Sequence, residues 1–283
     1  QGTKFTHRGT VTIDNNKSTT SSGSVTSAGD GNYIGGLIGG MTGGTLNISD
    51  SSAGSVTTTA TSNNVGGLVG FMYNGSIDDS VYAGDISARH VVGGLVGGLY
   101  RANNNNIDAN VTVSNSSASG NITGVNNVGG LIGYNRSTQP MVFGNEVSGE
   151  NYFTGAVAGK EHVGGLVGQL VRGVTTINNA QSTSSSGTVT GVADSKYVGG
   201  LIGGQGNAST LNIINSSAGS VTTTATSDAV GGLVGYMLKG SIVDSVYAGD
   251  ISARDFVGGL VGGFYRGYSN GVDAAVTVNN SSA

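Results

Sequence analysis

The chain has 283 residues, a formal net charge of −4 and only 10% charged residues. That sparse, slightly acidic balance offers no basic surface for nucleic acid or anionic lipid. Cysteine is absent, so neither a disulfide framework nor a thiolate metal site can form, and no apolar run reaches the roughly 18 residues of a membrane span.

Fifty-three glycines, with abundant Ser, Thr, Asn and Val, disfavour helix. Short Val/Ile-rich runs bounded by Gly and Asn predict strands instead. In chain order, residues 1–9 align in phase with 165–173, the end of one repeat unit. The first residue is Gln1, which suggests a processed product or segment from which any export signal has gone. An Ile/Val-x-Asn/Asp stretch opens each coil: Ile13 with Asn15, Ile48 with Asp50, Ile77 with Asp79, Val113 with Asn115, Ile177 with Asn179, Ile213 with Asn215, Ile242 with Asp244 and Val278 with Asn280. In the fifth coil Val147 with Gly149 departs from this pattern. The Asn/Asp side chains are expected to form a turn ladder in which each bonds a neighbour's backbone.

A Val/Ile-Thr strand comes next, at Val25, Val56, Ile86, Ile122, Val157, Val189, Val221 and Ile251. Each coil then closes on a Val-Gly-Gly-Leu-Val-Gly stretch, with eight versions at 34–39, 65–70, 92–97, 128–133, 163–168, 198–203, 230–235 and 257–262. Its Gly-Leu pairs are Gly36 and Leu37, Gly67 and Leu68, Gly94 and Leu95, Gly130 and Leu131, Gly165 and Leu166, Gly200 and Leu201, Gly232 and Leu233, and Gly259 and Leu260.

Successive leucines lie 31, 27, 36, 35, 35, 32 and 27 residues apart. Spacings of about 20–50 residues signal stacked supersecondary units. The gap series restarts after five coils. Residues 80–89 recur identically at 245–254, 165 residues later. The reading is therefore a single continuous all-β parallel β-solenoid of about three strands per coil, right-handed by analogy. A first five-coil superrepeat spans 1–164 and a partial second spans 165–283. Because the pattern stops in mid-coil at Ala283, more protein beyond it, or end-to-end stacking of subunits, is expected.

Strict alternation along a strand cannot send Leu68 and Val69 to the same side. With the leucines inward, Ile38, Val69, Val96, Ile132, Val167, Ile202, Val234 and Val261 form an external apolar stripe, a candidate partner surface. It suggests lateral or face-to-face pairing of solenoids; the alternative is that a bulge, or the aromatic residues just after the motif (Phe71, Tyr100, Tyr134, Tyr236 and Tyr265), covers it.

Eight phased Gly-Leu-Val/Ile-Gly units resemble the GLUG-motif repeats of secreted bacterial surface proteins. The resemblance covers essentially the whole chain. It implies a β-solenoid in an exported, adhesin-like or filamentous protein. It transfers no catalytic residue, because the motif is structural.

Candidates for chemistry are few. His90 corresponds to Asp255 and His7 to Val171 in the second superrepeat, and His162 has no copy, so none is required by the repeat. Gly267-Tyr268-Ser269-Asn270-Gly271 matches a nucleophile elbow, but no histidine follows it. The stretch 155–160 is one residue short of a phosphate loop. Asp79, Asp85 and Arg89 recur as Asp244, Asp250 and Arg254 and read as a solvated face, with calcium a minor alternative. A Thr/Ser column follows the Val/Ile column, but an ice-binding face would need a second matched column, which Arg89, Lys160 and Arg254 break. Neither catalytic residues, nor a cofactor, nor a metal is expected. The predicted function is a structural rod, fibre or adhesin stalk outside the cell that self-associates into filaments. The alternative is an adhesive module holding a glycan or protein on loops 103–106 and 135–145. A carbohydrate-active solenoid is disfavoured because the acids are few and dispersed.

Overall fold

A computed structural model describes residues 9–14, 24–27, 29–59, 61–100, 109–143, 151–178, 187–224, 226–264 and 275–283. Asn15, Asn179, His7, Val147, Gly149, Tyr265, the stretch 103–106, positions 144–145 of the 135–145 loop and the stretch 267–271 lie outside the described residues. What is described is all-β, and the ladders are parallel, joining strands of successive coils. The molecule is a parallel β-solenoid.

One coil shows the course of the rest. Thr45–Ser49 runs into a turn at Asp50, followed by the short strands Ser52–Ala53 and Val56–Thr57. Then come Asn63–Gly66, a bend at Gly67 and Leu68, and Val69–Met72. Asn74–Asp78 opens the next coil directly over Thr45–Ser49. Eight successive rungs pair through the strand that precedes the bend, from Asn32–Gly35 to Asp255–Gly258.

Because every rung repeats the same path, inward aliphatic side chains stack on their own kind in two columns. Ile34, Val65, Val92, Val128, Val163, Val198, Val230 and Val257 are in one register. On the opening strand Ile13, Ile48, Ile77 and Val113 form a second column, and Ile177, Ile213, Ile242 and Val278 a further run of it. In the fifth coil Phe143 is paired to Ile177 and is fully buried. The core position there belongs to Phe143, four residues before Val147. Each fully buried aliphatic side chain contributes about 1.5–3 kcal/mol, which offsets the backbone entropy of so many glycines.

The Asn/Asp turn column has a backbone cause. Asp50, Asp79, Asn115, Asn215, Asp244 and Asn280 all have φ between 46° and 49°, the left-handed region that Asn and Asp tolerate best among residues with a side chain. The residue after each is the one that ties the rungs together. The amide of Ser51 donates to Ser80 Oγ, that of Ser80 to Ser116 Oγ, and that of Ser116 to Asn151 Oδ1. In the second superrepeat Ser216 donates to Ser245 Oγ and Ser245 to Ser281 Oγ. Each serine hydroxyl in turn donates to the carbonyl two residues back, as Ser80 does to Asp78 at 2.7 Å. Ser51, Ser80, Ser116, Ser216 and Ser245 are buried, so the chain of hydroxyls satisfies amides that the turn has removed from the strand ladders. Replacing Ser80 with alanine strands the Ser51 amide. The expected cost is about 1–3 kcal/mol. Ser87→Ala, on the exposed outer face, should be neutral in the same thermal denaturation series. Equal midpoints for the two variants would refute the role given to the hydroxyl ladder.

Candidate functional site

The Val-Gly-Gly-Leu-Val-Gly stretch is two strands joined by a bend at Gly-Leu. The hydrogen bonds show why. The Leu95 carbonyl accepts from both Leu68 N and Val69 N, each at 3.0 Å. The same double acceptance occurs at the Leu68, Leu131, Leu166, Leu201, Leu233 and Leu260 carbonyls. Two consecutive amides therefore aim the same way, and the in–out alternation is broken at that residue.

This overturns the external stripe. Val69, Val96, Ile132, Val167, Ile202 and Val234 are 0% exposed, Val261 is buried at the last rung, and Ile38 is partly buried against the same core. Leu68, Leu95, Leu131, Leu166, Leu201 and Leu233 are equally buried, while Leu37 and Leu260 at the outer rungs are partly so. Leucine and the following Val or Ile both point inward. No apolar seam for lateral pairing exists at these positions, and a charge placed at Val69 would probe the core.

The bend brings the two strands' backbones to their closest approach, and the glycines permit it. A Cβ on Gly66 would sit 2.1 Å from the Val69 carbonyl oxygen, and one on Gly67 2.2 Å from the Gly94 oxygen and 2.1 Å from the Tyr82 ring. A Cβ on Gly70 would lie 2.2 Å from the Gly39 oxygen and 2.6 Å from the Ile34 nitrogen.

Just before the motif lies a second left-handed column: Tyr33, Asn64, Val91, Asn127, His162, Tyr197, Ala229 and Phe256, with φ between 51° and 65°. Nothing in those eight side chains announces it. The kink turns this residue out of register, so the Val after it faces the core. On the flank so formed, aromatic rings associate. Tyr33 lies against Phe71 with ring centres 4.3 Å apart, and Tyr100 stacks on Tyr134 at 5.2 Å. Higher up, His162 meets Tyr197 at 4.8 Å, and Tyr197 meets Tyr236 at 5.2 Å. Burial pushes the Tyr100 hydroxyl far above the ordinary tyrosine range, aided by the neighbouring Tyr134, Tyr33 and Tyr73.

Among the described residues His162 is the histidine with a large shift. Burial lowers its pKa to about 4, with Gln169 Nε2 at 3.3 Å from its Nε2. The unfolded chain, with an ordinary histidine pKa near 6.5, therefore binds more protons between pH 6.5 and 4. The stabilising neutral imidazole is fully present above the unfolded value and is lost as pH falls through that window. Stability should drop by on the order of 1–3 kcal/mol between pH 7 and pH 4 from this group. His162→Asn, which keeps a residue suited to positive φ, should flatten that part of the pH profile in urea titrations. An unchanged slope would contradict the assignment.

The remaining candidates separate. Asp85 Oδ1 accepts from the Asn121 amide of the next rung. Stretch 155–160 lies within the strand Tyr152–Gly164, which gives no loop to cradle a phosphate. The described part of the 135–145 loop proposed as a ligand surface, residues 135–143, alternates between interior and surface, with Thr138, Pro140 and Val142 exposed. Asn135, Ser137, Met141 and Phe143 are buried. Asn135 Oδ1 accepts from the Ser137 amide, and Ser137 Oγ donates to the Val111 carbonyl. Its polar residues serve backbone groups of the coil. Among the described residues, no three His, Cys, Asp or Glu side chains cluster as metal ligands do, and no helix is long and apolar enough to cross a membrane.

Sequence reasoning missed one concavity. A cleft of about 220 Å³ opens on the flank across three rungs, 196–197, 228–236 and 255–264. Tyr197, Tyr236, Phe256 and Phe264 line it together with Lys196, Asp228 and Asp255. Arg254 Nη2 lies 2.7 Å from both Asp228 carboxylate oxygens, and its Nε 3.1 Å from Asp255 Oδ2. These two pairs are solvent-exposed and add little stability. Their effect is to hold both carboxylates in place.

No family model matches the chain, and no curated protein matches it. Among solved structures it is similar to a protein described as a putative immunoglobulin A1 protease from Bacteroides ovatus, at 16% identity and a TM-score of 0.44, covering 90% of this chain and 86% of that one.

Proposed function

We propose that this chain is a structural β-solenoid of the cell exterior, a segment of a rod, fibre or adhesin stalk that self-associates into filaments. The observation that supports it is the unbroken relay of leucine amides. Leu37 donates to Leu68, Leu68 to Leu95, and so on to Leu260, each bond between 2.9 and 3.0 Å. Seven rung-to-rung steps of about 4.8 Å give ~34 Å of continuously bonded axis. In such an array each rung is stabilised by its neighbours, so length follows repeat number. The motif's likeness to GLUG repeats and the wealth of Ser, Thr, Asn and Gly fit an exported protein. The role is mechanical: a stiff spacer whose backbone is closed to proteases, with no catalytic step and no cofactor or metal.

Electron microscopy of the native assembly, paired with limited proteolysis, tests this. Straight rods that join one another and resist cleavage are expected. Isolated globular particles, or turnover on a panel of polysaccharides, would remove the reading.

A further inference from the structure

We infer that the flank cleft between Tyr197 and Phe256 is a binding site for a neutral pyranose, as a free glycoside or the end of a glycan. Three observations carry this. The first is shape. Tyr197 and Phe256 occupy the same left-handed column two rungs apart, with Ala229 between them. Two rungs span about 9.5 Å, and from the rung between them Tyr236, whose ring centre lies 5.2 Å from that of Tyr197, lines the same cleft, so that a saturated ring would lie against Tyr236 and Phe256. The small residues make the opening: Ala229 is the shortest side chain in its column, and Gly263 is the one motif-flank glycine whose Cβ would meet nothing nearer than 3.8 Å. The second is hydrogen-bonding chemistry. Asp228 and Asp255 present carboxylate oxygens at the wall, pinned by Arg254, and each ionised oxygen retains lone pairs for a hydroxyl donor. Aromatic faces beside fixed acceptors suit a ligand that is apolar on its ring faces and hydroxylated on its edge.

The third is charge. Lys196, Asp228 and Asp255 are paired rung on rung, and with Arg254 the two cations offset the two carboxylates. An organic cation would want carboxylates without that compensation, and an acidic sugar would meet Asp228 and Asp255. The neutral balance selects a neutral ligand. The site belongs to the second superrepeat alone. In the first, Asn32, Asn63, Val91 and His90 stand where Lys196, Asp228, Phe256 and Asp255 stand. The inference goes beyond the structural role proposed above, and the rod survives if the cleft binds nothing.

Saturation-transfer NMR on the whole chain, with methyl glycosides of glucose, galactose, mannose and N-acetylglucosamine as probes, decides it. At least one is expected to show transfer to its ring C–H protons. Phe256→Ala should weaken that binding by roughly tenfold, the worth of a stacked ring. The variant folds on the precedent of Ala229 in the same column. Tyr33→Ala, at the position equivalent to Tyr197, should leave binding unchanged. No transfer to any of the four glycosides, binding unaffected by Phe256→Ala, or binding displaced by tetramethylammonium chloride would each overturn the assignment.

Discussion

Gly66→Ala should cost upwards of about 3 kcal/mol and lower the thermal midpoint markedly. The new Cβ would lie 2.1 Å from the Val69 carbonyl oxygen, 2.7 Å from the Gly97 nitrogen and 2.8 Å from the Leu95 oxygen. All three are backbone atoms, so no rotamer change relieves the contact. Only opening the bend would, and the bend is bonded to the rungs on both sides. Gly263→Ala provides the control. It also lies beside the bend, but its Cβ would be 3.8 Å from its nearest neighbours, and a change within about 0.5 kcal/mol is expected. Differential scanning calorimetry of the two variants checks the pair. Similar midpoints would mean that the glycines are not demanded by backbone approach.

Tyr82→Ala should destabilise by about 3–5 kcal/mol, the range for deleting a buried aromatic ring. The column containing Tyr82 alternates small and large. Tyr82 is paired with Ala53 on one side and Ala118 on the other, and Ala118 with Phe153. A ring thus spreads over the space that the alanines above and below leave, against the glycine of the bend. The pattern recurs where Tyr247 lies against Gly232. Tyr82 also has a polar task. Its hydroxyl accepts from the Val56 amide at 3.2 Å, as that of Tyr247 accepts from Val221 at 3.0 Å. Tyr82→Phe should therefore cost about 1–3 kcal/mol by leaving that amide unpaired. Denaturant midpoints ordered wild type, Phe, Ala are the expected series. A Phe variant as stable as wild type would show that water replaces the hydroxyl.

How much of this could be read before any coordinates is clearest at particular residues. The period of the leucines, the parallel stacking and the Val/Ile columns follow from spacing and composition, because a coil this short can bury its apolar residues only on a neighbour. The serine ladder was legible and overlooked: Ser51, Ser80, Ser116, Ser216, Ser245 and Ser281 each follow an Asn or Asp in the same turn. The fifth-coil core residue was misplaced, because Phe143 does not resemble the isoleucines it aligns with and only the ladder to Ile177 reveals its register.

The amino-acid order by itself thus determined that identical rungs must stack, and which hydrophobic positions would meet their copies, since a repeated pattern places like over like. Only the tertiary structure decided which way Val69 and its seven equivalents face, because that depends on one extra amide sharing a leucine carbonyl of the next rung. It also decided that Lys196, Asp228 and Phe256, far apart along the chain, share one cleft. Such placement comes from the left-handed kink before each motif, a backbone state that residues as different as Asn64, Val91 and Phe256 adopt because the neighbouring rungs impose it.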